Sequence, residues 1–225
     1  MNEHRKEFLQ AMFIPALFCL LFAAFFLTEW VWDIDIRTLG IYPRSVAGLR
    51  GVIMHVFVHG DISHLLNNML SFFTLATALF YFHRKIATNI LLFIWLGAGC
   101  LLWIIGRESW HIGASGLIYG IAFFLFAIGI FSRQIPLIAI SLAVVFYYGS
   151  MVWYIFPWQE NDTFSWEGHL AGAITGVALA FIYKKRVRKP PKIWLEDESE
   201  DDKLFAEYAE SFELEGEKKI ESAEE

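Results

Sequence analysis

Six apolar stretches run along the chain, at residues 8–27, 63–82, 86–105, 115–131, 135–156 and 168–183. Uncharged runs of this kind predict helices that cross a membrane, because about 20 residues at 1.5 Å each span a hydrocarbon core of about 30 Å. The fourth and sixth are short by that measure. They predict helices that begin below the membrane surface, or a bilayer that thins around them. The expected fold is an all-α membrane protein, a bundle of six transmembrane helices.

The segment between the first two stretches, residues 28–62, is too long for a tight turn and rich in Trp, Ile and Val. It predicts a structured element resting in the outer interface, with its tryptophans as anchors. Ahead of it, basic residues precede an apolar run as they would in a secretion signal. The length of that run, the lack of a small-residue cleavage site and the spans that follow predict a retained first helix instead.

Orientation follows from lysine and arginine near the span ends. Arg5 and Lys6 precede the first span, Arg84 and Lys85 join the second to the third, and Arg133 joins the fourth to the fifth. Lys184, Lys185, Arg186, Arg188 and Lys189 follow the sixth. Alternating spans put all four places on one side, which predicts a cytoplasmic location for that side and for both termini. Arg37, Arg44 and Arg50 in the long first loop run against the rule.

Composition agrees with the pattern: 56% of the 225 residues are hydrophobic and 17% aromatic, too apolar for a soluble domain of this size. The formal charge of −6 hides a split. Residues 196–225 hold 14 acidic residues against three lysines, a balance of −11, so the rest of the chain carries +5. Three regions follow: 1–48 with the first span and the start of the loop, 49–184 as the core, and 185–225 as a basic then acidic cytoplasmic tail. In the tail, Leu204, Phe205, Tyr208, Phe212 and Leu214 alternate with acids, which leaves an amphipathic helix and an unstructured segment both open. Cys19 and Cys100 each lie inside an apolar run and predict buried structural thiols, not a disulfide. The pattern calls for a lipid bilayer and for no nucleic acid.

Spans two, four and six all begin at the outer face, and each begins with polar side chains. His64 and Asn68 open the second, Ser115 the fourth and His169 the sixth. Polar groups inside a membrane are costly and mark function by default. Gly168, Gly172, Gly176 and Ala180 repeat every four residues, and Gly116 and Gly120 do the same on span four. Small-residue faces of this kind let two backbones approach closely, which would carry the serine towards the histidine. A serine hydroxyl needs a base to become a nucleophile, and histidine is the usual one. The free N–H of Ser115 at a helix start could face an oxyanion. His64 and Asn68, at i and i+4, project from one helix face, with Asn67 turned about 100° away. Tyr119, four residues after Ser115, could pack on the His169 ring. Glu167 is two residues from His169 and points elsewhere on a helix, so a dyad is the economical reading. His55 and His59, also at i and i+4, admit a zinc site as an alternative, with no third ligand evident.

Three motifs together resemble the rhomboid family of intramembrane serine proteases. "HVFVHGDISHLLNNML" is similar to the family's second-helix motif, "GASGLIYG" to its G-x-S-G motif and "GHLAGAITG" to its last-helix motif, in that order over residues 49–184. The resemblance implies Ser115 as nucleophile, His169 as base, and His64 and Asn68 in the oxyanion hole. It also implies packing roles for Tyr119, Gly113, Gly116, Gly168 and Gly172. It further implies a six-helix bundle with a water-filled cavity open to the outside, no cofactor or metal, and transmembrane protein substrates cut in or beside their spans. Substrate would approach laterally near the second and fifth helices, where Phe146, Tyr147, Tyr148, Trp153, Phe156 and Trp158 fit a gate and lipid contact equally. A bacterial-type inner membrane is the expected location. The alternatives are a rhomboid-like module that binds membrane clients without cutting them, and a small channel lined by the polar cluster.

Overall fold

The computed structural model describes residues 3–132, 134–157 and 164–187. The acidic tail, Arg133 and Trp158 lie outside the described residues. Eight α-helices follow one another: α1 (Glu3–Trp32), α2 (Val46–Leu49), α3 (Gly51–Met54), α4 (Ile62–Phe82), α5 (Ala87–Ile105), α6 (Ser115–Ser132), α7 (Ile135–Tyr148) and α8 (Trp166–Val187). Three 3₁₀ turns, Arg37–Leu39, His55–Phe57 and Gly149–Ile155, complete the described chain, with one isolated β-bridge and no longer strand among the described residues.

The protein is an all-helical, multi-pass membrane protein. Helices α1, α4, α5, α6 and the segment Ile135–Ile155 are each long and apolar enough to cross a bilayer. Helix α8, at 22 residues, has the length, about 33 Å, but not the same apolarity. Glu167 and His169 stand at its start, Lys184, Lys185 and Arg186 at its end, and small residues between.

Helix α6 is the centre of the bundle, with 13 of its 18 residues buried. It packs most extensively against α8, and the glycines explain how. A Cβ on Gly172 would lie 2.0 Å from the Gly116 carbonyl oxygen, and one on Gly176 would lie 2.2 Å from that of Gly120. No side chain fits at either place, so the two backbones touch. On the far side, α1 meets α4 through aromatic rings. Phe18 packs on Phe72 at 5.4 Å and on Trp95 at 5.6 Å, and Phe25 stacks on Phe57 at 5.2 Å. On one face of the bundle, the turn after α4 meets the start of α1, where Arg84 bonds Gln10 and lies 3.5 Å from Glu7.

Three local expectations are corrected. The first helix runs to Trp32, about one turn beyond the apolar pattern, with Thr28 Oγ1 donating back to the Ala24 carbonyl at 2.8 Å and Glu29 half-buried. The fifth span is no single α-helix: α7 stops at Tyr148 and continues as the turn Gly149–Ile155. The turn puts two main-chain carbonyls towards the bundle, and a period-based reading cannot see that. Cys19 is buried as expected, but Cys100 is exposed on the outer side of α5. An apolar run on a membrane helix has a lipid-facing side, and a thiol is at home there.

The long outer segment is structured, as expected. Gly48 and Gly51 press against the backbones of Tyr42 and Gly40. Trp103 Nε1 donates to the Ser45 carbonyl at 2.9 Å, and the Ile41 and His111 main chains exchange bonds of 2.9 and 2.8 Å. These bonds tie the segment to the loop that leads into α6.

The α6–α8 contact makes a direct prediction. Gly176→Leu, well below the outer ends of the helices, forces the backbones apart and should destabilise the fold by about 2–3 kcal/mol. A thermal melt in detergent checks it, with the midpoint falling by several degrees relative to wild type.

Candidate active site

Ser115 is the first residue of α6, and the Ile118 N–H bonds back to the Ala114 carbonyl at 3.0 Å. The Ser115 N–H therefore belongs to the helix's first turn, where amides have no intrahelical acceptor. His169 stands one turn into α8. Ser165 caps that helix: its Oγ accepts from the Gly168 N–H at 3.1 Å and its carbonyl accepts from the His169 N–H at 3.2 Å. A Cβ on Gly116 would meet the Gly168 carbonyl at 3.0 Å. The two helix starts thus lie against each other, and Ser115 Oγ is 3.0 Å from His169 Nε2.

The His169 ring is held on several sides. Its Nδ1 is 2.9 Å from the Tyr154 carbonyl oxygen. A carbonyl only accepts, so Nδ1 carries the proton and Nε2 presents its lone pair to the serine hydroxyl. Tyr119 stacks on the ring at 4.1 Å with planes 2° apart, and its own hydroxyl donates to the Met151 carbonyl at 2.9 Å. Phe164 lies near-parallel to the imidazole at 5.9 Å.

Helix α4 brings the other polar pair. Asp61 caps it by accepting from the His64 N–H at 2.8 Å, which fixes the first turn and the direction in which His64 projects. His64 and Asn68 converge on Gly113, two residues before Ser115. A Cβ on Gly113 would lie 2.6 Å from His64 Nε2 and 3.6 Å from Asn68 Nδ2, and its φ of +103° itself requires glycine. Asn68 is buried, and its Nδ2 has no acceptor among the described residues. Asn67 instead turns outward, donating to Ser63 Oγ at 3.4 Å.

Ser115, His169, Tyr119, His64 and Asn68 thus fall in one neighbourhood at one end of α4, α6 and α8. The arrangement combines a hydroxyl activated by a base with donors beside it, which is the equipment of acyl transfer. Residues 47–186 match the Rhomboid domain. The chain belongs to the rhomboid family. Its similar proteins include an uncharacterized protein of Mycobacterium tuberculosis, 34% identical over 157 residues, covering 67% of this chain and 65% of the relative. A second uncharacterized protein, of Mycobacterium leprae, is 31% identical over 159 residues, covering 67% of this chain and 62% of the relative. The chain therefore spans just under two thirds of the length of these relatives. Rhomboid proteins are generally intramembrane serine proteases, and inactive relatives also occur.

Around this rhomboid core the structure adds residues that the sequence reading passed over. His111 is buried, with Nε2 at 3.0 Å from the Arg107 carbonyl and Nδ1 at 2.7 Å from Ser165 Oγ. The Arg107 carbonyl fixes the proton on Nε2, so Nδ1 accepts from the Ser165 hydroxyl, which in turn accepts from Gly168. Glu167 turns away from His169. Its carboxylate, 2% exposed, accepts from the Arg107 N–H at 3.2 Å and lies 3.4 Å from the Arg107 guanidinium. Arg107 also donates to the Phe164 carbonyl at 2.9 Å. The start of α8 is pinned to the loop after α5 by this lattice. Only the Ser165-x-x-Gly168 spacing, a capping pattern, signalled it in the sequence.

His55 and His59 stand outside the reacting pair. His55 Nδ1 donates to the Gly51 carbonyl at 2.7 Å, and His59 packs on the rings of Phe22 and His64. Among the described residues no three His, Cys, Asp or Glu side chains converge as metal ligands would. A small cavity beside Ser115 is lined by His55, His111, Gly113, Ser165 and Gly168.

Burial pushes the His55 imidazole down to about 4 from its ordinary 6.5, despite the Gly51 carbonyl that favours its charged form. The unfolded chain therefore binds the proton first as pH falls. Stability carried by neutral His55 is present above pH 6.5 and lost progressively towards about pH 4, by about 3 kcal/mol in all. Unfolding followed between pH 7 and 4 should show this slope in wild type, and His55→Gln should flatten it.

Proposed function

We propose that the protein is an intramembrane serine endopeptidase acting through a Ser115–His169 dyad. One observation carries this reading: Ser115 Oγ lies 3.0 Å from His169 Nε2 while the Tyr154 carbonyl keeps the proton on Nδ1. The pair is thus in the protonation state that a general base needs.

In the first step Ser115 Oγ attacks the scissile carbonyl carbon as its proton passes to His169 Nε2. The resulting oxyanion is met by the Ser115 N–H, His64 and the unpaired Asn68 Nδ2. His169 then returns its proton to the leaving amine, and the C–N bond breaks. Water, accommodated by the polar cavity of His55, His111 and Ser165, attacks the acyl-enzyme with His169 again as base. The acid fragment leaves and Ser115 recovers its proton. Apart from the water, these steps use the chain's own side chains and the Ser115 main-chain N–H.

The substrates are single-pass membrane proteins cut in or beside their transmembrane segment. Helix α7 supports lateral access. Its buried residues, Leu137 and Ser141, lie in its first half, while Phe146 and Tyr147 further along are exposed. The basic residues at the end of α8 and beside Arg84 support a cytoplasmic location for that face and both termini in a bacterial-type cell. The site then opens on the opposite side of the inner membrane.

Two measurements test the proposal. Ser115→Ala and His169→Ala should each cut cleavage of a single-pass reporter protein in liposomes by at least about 10³-fold, and Ser115→Ala should lose labelling by a fluorophosphonate. Cleavage that survives in either variant sinks the dyad. A wild type that binds the reporter and never cuts it makes this a client-binding module. Asn68→Ala should lower kcat by about 10²-fold with KM nearly unchanged, the mark of a donor used chiefly in the transition state.

A further inference from the structure

In Ser–His sites the base is held in its tautomer by a group that accepts from Nδ1, usually a carboxylate. Among the described residues no carboxylate does this. Glu167, the closest in sequence, is engaged with Arg107, and His169 Nδ1 faces the main-chain carbonyl of Tyr154 at 2.9 Å.

Tyr154 belongs to the turn Gly149–Ile155, which continues directly from α7. The same turn supplies the Met151 carbonyl that accepts from Tyr119, and Tyr119 is the ring stacked on His169. Its third contact is the Tyr154 ring, which meets Phe164 edge-on at 5.2 Å, and Phe164 lies near-parallel to the imidazole. One short turn therefore holds the base directly and also holds the ring packed against it. Helix α7, from which the turn extends, is the least buried of the long helices, with only two buried residues.

We propose that the Tyr154 main-chain carbonyl is the positioning group of the base, so that the dyad is aligned only while the turn 149–155 is seated on α6 and α8. This rests on reading Ser115 and His169 as nucleophile and base. The carbonyl accepts from a neutral imidazole in the ground state and from an imidazolium once the serine proton has moved. A bond to a charged donor is the stronger, so the contact favours the transition state over the resting enzyme. Displacing the turn to admit a substrate helix takes away the acceptor of His169 Nδ1 and the acceptor of the Tyr119 hydroxyl together. Admission and chemistry are thereby ordered: the turn must return before the bond is cut.

A main-chain carbonyl is tested by changing the bond next to it. Replacing Ile155 by its α-hydroxy acid turns the 154–155 amide into an ester, whose carbonyl is a weaker acceptor, and leaves every side chain in place. The same change at Ser150, in the same turn, weakens the Gly149 carbonyl and serves as the control for loss of one turn N–H. In the full-length protein the Ile155 ester should lower kcat about tenfold or more, with KM within about twofold. The Ser150 ester should leave kcat within about twofold. Equal rates for wild type and the Ile155 ester, or equal losses in both esters, overturn the proposal. A second measurement needs no altered backbone. Nitrogen-15 spectra of histidine-labelled protein, with His169 assigned by difference from His169→Gln, should show the Nδ1–H tautomer. An Nε2–H tautomer overturns the proposal as well. Failure of the parent reading looks different, because wild type itself would then not cut, or Ser115→Ala still would.

Discussion

The close approach of α6 and α8 is the constraint on which the rest depends. Two backbones meet at Gly116, Gly120, Gly172 and Gly176, where any Cβ would fall within about 3.5 Å of a backbone atom across the interface. With lipid outside there is little hydrophobic drive to bring helices together, so packing and polar bonds must do it. Once the stripes are docked, the residues at their outer ends have little freedom. Ser115 precedes the first glycine of one stripe and His169 follows the first of the other, and the 3.0 Å between their reacting atoms is set by that register. On the proposed reading, catalytic geometry is a by-product of helix packing.

The remaining elements hold that register. The 41–111 bridge and the Trp103–Ser45 bond anchor the outer segment to the loop before α6, and Asp61 fixes the start of α4. At α8 the directed series from Gly168 through Ser165 to His111 and on to the Arg107 carbonyl satisfies the buried donors of the helix start. Each of those groups would be expensive to leave unpaired in a low-dielectric setting. Polarity near the site is therefore of two kinds. Some side chains are consumed in supporting the frame, while Asn68 Nδ2 is kept without a partner beside the serine.

Much of this was legible in the residues themselves. Apolar runs mark the spans, and glycines at every fourth place mark the interface. His64, Asn68, Ser115 and His169 stood out because lipid makes each of them costly without a purpose. The α7 break was easily missed, since Gly149-Ser150 is the one small and polar step between Phe146 and Phe156 and the apolar run resumes after it. Cys100 misled because hydropathy reports a residue's fitness for the bilayer, not whether protein or lipid meets it. His111, Ser165 and Arg107 were passed over for a related reason. Their partners lie about 54–60 residues away or are main-chain atoms, and no local spacing encodes such pairs.

The choice of a carbonyl over a carboxylate at Nδ1 has its own physical logic. A buried carboxylate must be paired or it costs several kcal/mol. Glu167, the closest in sequence, is paired with Arg107 and is thereby spent on holding the helix start. A second carboxylate against His169 would need a second cation in the same small volume. A backbone carbonyl brings a fixed dipole without a net charge, so the site stays neutral until the serine proton moves. The cost is that a carbonyl has no side chain of its own to hold it in position. Its place is only as secure as the turn that carries it, and this turn extends from the most exposed long helix of the bundle. On the proposed reading, what orients the base is therefore also what a bulky helical substrate must pass.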